Sequence, residues 1–370
     1  MKAFNFYIFI FTLLLSTNKA YGLISFEDAT FPELAVSGRA LAMGNAYIAK
    51  VDDSAAVFYN PAGLGTVRYP HLHISNLHFE VNKDWLDLGT GGTISNAGSN
   101  FMKGFKVDGT RQLLKDSPGK FSHSRFQIMP NFTARYISIG YLFSTQTRGH
   151  IGENTTDLFE YATRRDHGPY AALNISLFGG IFKVGASAIM LLRKEVFGES
   201  DRNTTIDLKD SDYSEGSGVI ITTGGKITLP VTALPTFAVK INNSASQDFS
   251  KTGGAAAAPD KIKPSVDFGF SLTPQVGKIV RLHLEANYKD ATQKYEGVGS
   301  ARRLSLGMEL DIARTFFIRG GYGDGFGSGG IGIRTRKLEF DLTTYAIDTT
   351  TSQFRGKEDR RFALTLSSGF

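Results

Sequence analysis

From His71 onward the chain alternates apolar and polar residues in stretches of about ten, each ended by a break. Leu282, Leu284, Ala286 and Tyr288 share one face, with Arg281, His283, Glu285 and Asn287 on the other. Leu304, Leu306, Met308 and Leu310 oppose Arg303, Ser305, Gly307 and Glu309, and Leu338, Phe340 and Leu342 oppose Glu339, Asp341 and Thr343. Successive side chains of a strand point to opposite faces, so a period of two predicts strands with one apolar and one polar side. Fourteen such segments start near His71, Ser122, Tyr136, Pro169, Phe182, Gly216, Pro235, Pro264, Lys278, Ala301, Thr315, Gly327, Lys337 and Arg360. The pattern predicts an all-β fold, an antiparallel outer-membrane barrel of about 14 strands. The polar faces place Glu285, Glu309, Glu339 and Asp341 opposite Arg281, Arg303, Arg319 and Arg334, which predicts a charge network inside the barrel.

The breaks between segments alternate in length. Residues 82–121, 148–168, 198–215, 244–263 and 290–300 form long linkers, while 134–135, 179–180, 231–234 and 273–277 form short or moderate ones. Outer-membrane barrels have short periplasmic turns and long external loops, and a soluble sandwich has no reason to sort its loops this way. Gly323–Gly327 interrupts the pattern as a short turn where a long loop is expected. The run of alternating glycines from Gly321 to Gly327 resembles a phosphate-cradling loop, but no Lys-Ser/Thr and no helix follow, so a hairpin turn is the expectation.

Composition narrows the class. The chain has no Cys, which excludes disulfides and lipoprotein acylation, and its 41 Gly with 12% aromatics suit many strands and turns. Lys2 followed by the apolar run Phe4–Leu15 and the small residues around Ala20 and Gly22 predicts a cleaved export signal over residues 1–22. No later stretch is long enough for a transmembrane helix. The net charge of +6 is scattered rather than gathered in a stripe, which argues against a nucleic-acid partner. His71 and His73 share a strand face without further ligands, and the oxygens from Asp210 to Gly216 lack the spacing of a calcium loop. Neither a cofactor, a metal nor a catalytic motif is expected.

The most specific segment lies between the export signal and the first strand: SGRALAMGNAYIAKVDDSAAVFYNPAGLG, Ser37 to Gly65. Gly38, Arg39, Ala40, Met43, Gly44, Ala46, Asp52, Asp53, Asn60, Pro61, Ala62 and Gly63 give it a close resemblance to the N-terminal signature of FadL-type outer-membrane transporters, a family that includes PorV-like barrels. The resemblance implies a small hatch (residues 23–66) in the lumen of a barrel (residues 67–370). It also implies uptake of hydrophobic small molecules of fatty-acid or hydrocarbon type. A platform for exported proteins, as in PorV-like barrels, or a purely structural barrel are the alternatives. Asp52 and Asp53 are expected to cap the next turn or to pair with an arginine of the wall, and Asn60-Pro61-Ala62-Gly63 to form a rigid turn. The expected partners are outer-membrane lipids and lipopolysaccharide, the barrel-assembly machinery and a hydrophobic ligand, with the barrel as a monomer.

Two further features bear on the wall. Pro130 falls inside a strand-like segment where it cannot donate a ladder hydrogen bond. A kinked early strand opens FadL-type barrels sideways, so Pro130 and Gly140 are candidates to frame such an opening. The other reading is that Pro130 only begins or ends a strand. At the end of the chain Phe362, Leu364, Leu366 and Phe370 share a face, resembling the C-terminal signal read by barrel-assembly machinery. Deleting Phe370 should therefore lower the yield of heat-modifiable barrel, measured by the band shift between unheated and boiled membrane samples.

Overall fold

The computed structural model describes residues 24, 26, 34–90, 103–154, 156–254, 257–295, 298–348 and 358–369. The expected export signal 1–22, most of 23–33 and Phe370 lie outside these residues. One antiparallel sheet dominates: β1 (His71–Asn82), β2 (Phe121–Ile128), β3 (Asn131–Ala134), β4 (Ile137–Ile151), β5 (Phe159–Leu177), β6 (Phe182–Ser200), β7 (Ser214–Thr228) and β8 (Thr236–Asn242). It continues with β9 (Ser250–Gly254), β10 (Ser265–Leu272), β11 (Val280–Tyr288), β12 (Leu304–Ile312), β13 (Phe316–Gly323), β14 (Phe326–Arg334), β15 (Leu338–Asp348) and β16 (Glu358–Gly369). Each strand pairs with its neighbours in turn, and β16 pairs with β1 from Gly369–His73 to Arg361–Asn82, which closes the sheet. Because β2 and β3 are two halves of one stave and β9 is a flange on β7, the barrel has 14 strands among the described residues.

Closure follows from the alternation. Leu173, Ile175, Phe237, Ile318, Ile331 and Leu342 point outward and are exposed, as a lipid-facing surface requires. Polar residues such as Arg193, Asp166, Glu285, Glu309 and Arg319 point inward and are buried. No helix among the described residues is long and apolar enough to cross a membrane. The strands satisfy each other's backbone groups, and a closed ladder leaves no edge unpaired.

Several connections differ from the sequence reading. The expected linker 148–168 is mostly strand, since β4 runs to Ile151 and β5 begins at Phe159. Its residues lack apolar alternation, but cross-strand ion pairs replace it: Arg164 Nε lies 2.7 Å from Glu195 and Arg193 Nε 2.8 Å from Asp166. The linker 82–121 contains the helices Lys83–Thr90 and Val107–Leu114, the second packing Val107 and Leu114 against Ile151 and Phe159. The turn after Gly323 is a two-residue hairpin with Asp324 and Gly325 both left-handed.

Around Pro130 the wall is bonded on both sides. Met129 N–H donates to Asn76 O at 3.0 Å, and Pro130 O accepts from Tyr141 N–H at 3.1 Å. The register with β4 is the same above and below the proline, from Ile128–Phe143 to Asn131–Gly140. The missing donor is absorbed on the other side, where three β1 residues (74–76) oppose two (129–130) between the flanking pairs. The neighbouring strands therefore do not part there. Gly140 has a different use: a Cβ at this position would strike the ring of the inward-facing Tyr170.

Two adjacent glycines of β13 test the inward and outward assignment. A Cβ on Gly321 would collide with the backbone of Met43 and Gly44, whereas one on Gly320 meets nothing within 4 Å. Gly321→Ala should destabilise the barrel by about 1–3 kcal/mol through overpacking. Gly320→Ala should be neutral or stabilising in the same urea-unfolding measurement.

Candidate functional site

Residues Ser37 to Val67 run through the interior and are almost all buried. They form only brief elements: a helical turn Gly38–Ala42, another at Ala56–Tyr59 and a 3₁₀ stretch Pro61–Thr66. Gly44 and Asn45 between the first two adopt left-handed conformations, with φ of 62° each. Asn60 holds the last two together. Its Oδ1 accepts from Ala62 N–H at 3.1 Å, and its Nδ2 donates to Ile48 O at 2.9 Å. Pro61 sits at the first position of the 3₁₀ turn, where its missing N–H costs nothing.

Such a segment exposes many backbone groups that its own turns cannot bond, and buried groups of this kind need partners. Inward side chains of the wall provide them. Gln127 exchanges two bonds with the backbone of Val36, each 3.1 Å long. Both oxygens of Glu285 accept from the segment, from Ala49 N–H at 2.7 Å and Lys50 N–H at 2.9 Å. Ser187 donates to Val57 O at 2.7 Å, Ser328 to Ala42 O at 3.0 Å and Thr343 to Gly38 O at 2.9 Å. Where the segment comes closest, the wall carries glycine: Gly185 faces Pro61 and Ala62, and Gly307 faces Met43.

Arg39 is the main charged link. Its Nε and Nη2 bind the two oxygens of Glu309 at 2.7 and 2.6 Å, a bidentate pair. Its Nη1 reaches Asp52 and the Tyr47 hydroxyl, both at 2.7 Å. Behind Glu309 the chain of charges continues through Arg319 at 2.8 Å to Asp341 at 2.5 Å. Asp53 accepts from Ala55 N–H at 3.0 Å and from the Tyr47 hydroxyl at 2.6 Å, and Arg334 of the wall stands 3.7 Å away. Burial alone would raise the Asp52 carboxyl, but Arg39, with Lys50 and Arg334, outweighs this and holds it well below the ordinary carboxylate range.

The structure thus gathers Gly38, Arg39, Met43, Gly44, Asp52, Asp53, Asn60, Pro61, Ala62 and Gly63 into one body against β5–β7 and β11–β16, buried except at the half-buried Asp52 and Asp53. Phe362, Leu364 and Leu366 lie elsewhere, on β16, opposite Val81, Phe79 and Leu77 of β1. Among the described residues no cluster of three or more His, Asp or Glu could hold a metal ion.

Sequence reasoning missed an apolar sector of the inner wall. Leu142, Tyr170, Ile189, Leu191 and Ile220 point inward from β4 to β7 and are buried. From the N-terminal segment, Phe58 meets Tyr170 edge-on with ring centroids 5.2 Å apart. From the loop before β10, Phe249 and Ile262 join the same cluster. Phe249 lies over Gly218 and beneath the Arg193 guanidinium, 5.2 Å from its ring centre. A signal was available: Ala188-Ile189-Met190-Leu191-Leu192 is apolar at both parities, so an inward apolar face was legible there.

No protein-family model matches the chain, and no curated protein matches it. Among solved structures, the Ralstonia pickettii toluene transporter TbuX is similar over 91% of this chain and 98% of its own, with 12% identity and a TM-score of 0.48. A FadL homologue from Pseudomonas aeruginosa is similar over 95% of this chain and 100% of its own, with 11% identity and a TM-score of 0.44. The TodX monoaromatic hydrocarbon channel, as its deltaS2 mutant, is similar over 90% and 99%, with 9% identity and a TM-score of 0.47. The likeness is one of overall fold.

Arg39→Ala would leave Glu309 and Asp52 without their shared cation. It should cost about 3 kcal/mol and expose the segment to trypsin at Lys50. Because the Asp52 carboxyl titrates below its ordinary value, its contribution is present above about pH 4 and is lost as the pH falls further. Wild-type protein should therefore resist trypsin equally at pH 5 and pH 8. A marked loss of resistance already at pH 5 would contradict the assignment.

Proposed function

We propose that the chain is an outer-membrane barrel that takes up hydrophobic small molecules, with the N-terminal segment as a plug across its interior. The observation that carries this reading is the apolar inner sector. A barrel wall that only needs to hold its shape can be polar inside throughout, and most of this one is. Placing Leu142, Tyr170, Ile189, Leu191 and Ile220 inward creates a surface that water wets poorly and an apolar ligand covers well. Phe249 and Ile262 reach it from the long-loop end, and Phe58 of the plug closes it deeper in the barrel. In this reading a ligand enters beside the loop 244–264, displaces aromatic contacts along the sector and is admitted when Phe58 and its neighbours give way.

The polar sector has the complementary task. Its charges fix the plug against β11–β15 through Arg39, so the part that moves is the part that lies against apolar side chains. Hydrophobic contacts are non-directional and can be exchanged for a ligand at little cost. A bidentate ion pair cannot.

Two measurements test the reading. Removing residues 37–65 should raise single-channel conductance in planar bilayers several-fold, and unchanged conductance would show that the segment does not occlude the lumen. Leu191→Asp should abolish saturable uptake of a hydrophobic probe such as a fluorescent long-chain fatty acid or a monoaromatic hydrocarbon. If uptake by the L191D barrel equals wild type while the barrel folds, the apolar sector is not the path.

A further inference from the structure

The short turns at one end of the barrel differ in kind from the long loops at the other. They comprise residues 66–70, 135–136, 178–181, 229–235, 273–279, 313–315 and 335–337. Together they hold Arg68, Arg135, Lys278, Arg314, Arg336 and Lys337 and neither Asp nor Glu. Every one of these cations is exposed. The long loops, by contrast, mix both signs, as in Lys83, Asp84, Asp87, Lys103, Lys106 and Asp108.

The two halves of this rim are unlike. The turns 313–315, 335–337, 66–70 and 135–136 follow one another around the sheet and contain all the cations but Lys278. Tyr69 and Tyr136 stand next to Arg68 and Arg135, and the Arg135 guanidinium lies 5.0 Å from the centre of the Tyr136 ring. The remaining turns expose Phe178 at 79%, Val276 at 67%, Ile279 at 64% and Val231 at 57%. Two of them touch, Thr273 N–H donating to Ala233 O at 2.6 Å. Carboxylates at the adjoining strand ends are already engaged: Asp311 faces Arg281 at 3.7 Å, and Glu339 holds Arg334 at 2.8 Å.

We infer that this rim binds anionic phospholipid of the periplasmic leaflet, with headgroup phosphates on the cationic turns and the apolar turns sunk among the acyl chains. The inference rests on the barrel reading, which sets the short turns at the periplasmic side. Cations beside tyrosines at the border of an apolar belt are the arrangement expected of an interface, where the aromatic ring sits at headgroup level and the long basic side chain reaches the phosphate. Exclusion of every carboxylate from the turns favours a surface that is uniformly negative over one that mixes charges, as a protein partner would. The uneven rim also predicts a tilted barrel, since the apolar turns immerse more deeply than the cationic ones.

The test uses the full-length protein folded into nanodiscs of phosphatidylcholine alone or with phosphatidylglycerol, followed by native mass spectrometry of the lipids it retains. The wild type should prefer phosphatidylglycerol about fivefold or more at low salt, because each basic residue near a charged surface contributes about 1 kcal/mol. The preference should shrink in high salt. The variant R68Q/R135Q/R314Q/R336Q should lose it, while K103Q/K106Q/K115Q on the long-loop side should keep it. Equal retention by wild type and the rim variant, or equal loss in both variants, would overturn the inference. So would capture of an acidic soluble protein by the rim with no preference among lipids. Heat-modifiable mobility in phosphatidylcholine alone reports the barrel separately, so failure to form a barrel would be seen as such and would sink both readings.

Discussion

A peptide group on a strand must find its partner on a neighbouring strand, and that one constraint organises the rest of the molecule. Each backbone N–H and C=O of the wall must be bonded within it, and only a ladder without edges achieves this with strands. The pairing of β16 with β1 is therefore the contact on which the others depend. It also explains how Pro130 is accommodated. With no free edge available for a residue that lacks N–H, the extra residue in β1 takes up the deficit and the carbonyl of Pro130 still finds Tyr141.

The same requirement reaches the interior. The N-terminal segment is too irregular to bond its own backbone, so it is stable only where the wall presents polar side chains in register with it. Gln127, Glu285, Ser187, Ser328 and Thr343 do this from widely separated strands. The Arg39–Glu309 pair adds position more than energy, because the desolvation of two buried ions offsets much of their attraction. Removing either partner is costly for the same reason. The segment thus has one defined seat, set by charge, and an apolar flank that is held less specifically.

Inside and outside obey opposite rules, with instructive exceptions. Apolar residues face outward nearly everywhere, yet β4 to β7 also turn some inward. The outer ends of β4, β5 and β6 extend as strands although their residues are charged. There, buried pairs on the inner face such as Arg164–Glu195 and Asp166–Arg193 join neighbouring strands.

How much could be read from the chain alone follows from these ranges of interaction. Strand pattern, strand number and the inward charges were legible because they depend on period and parity, whereas the interior position of Ser37–Gly65 was implied only by the resemblance of its motif. Asn60 next to Pro61 specifies its turn within three residues. The alternation 281–288 specifies its faces without reference to any neighbour. What remained hidden depends on residues far apart in sequence. That Arg39 meets Glu309 and that Gly321 makes room for Met43 depend on closure, which sets the N-terminal segment against β12 and β13, and that Phe249 joins Tyr170 and Phe58 depends on the loop after β8 folding back over β7. The state of 148–168 was misread because cross-strand ion pairs, not periodicity, hold it as strand. Sequence determined which way each residue faces; only the closed barrel decided what it would find there.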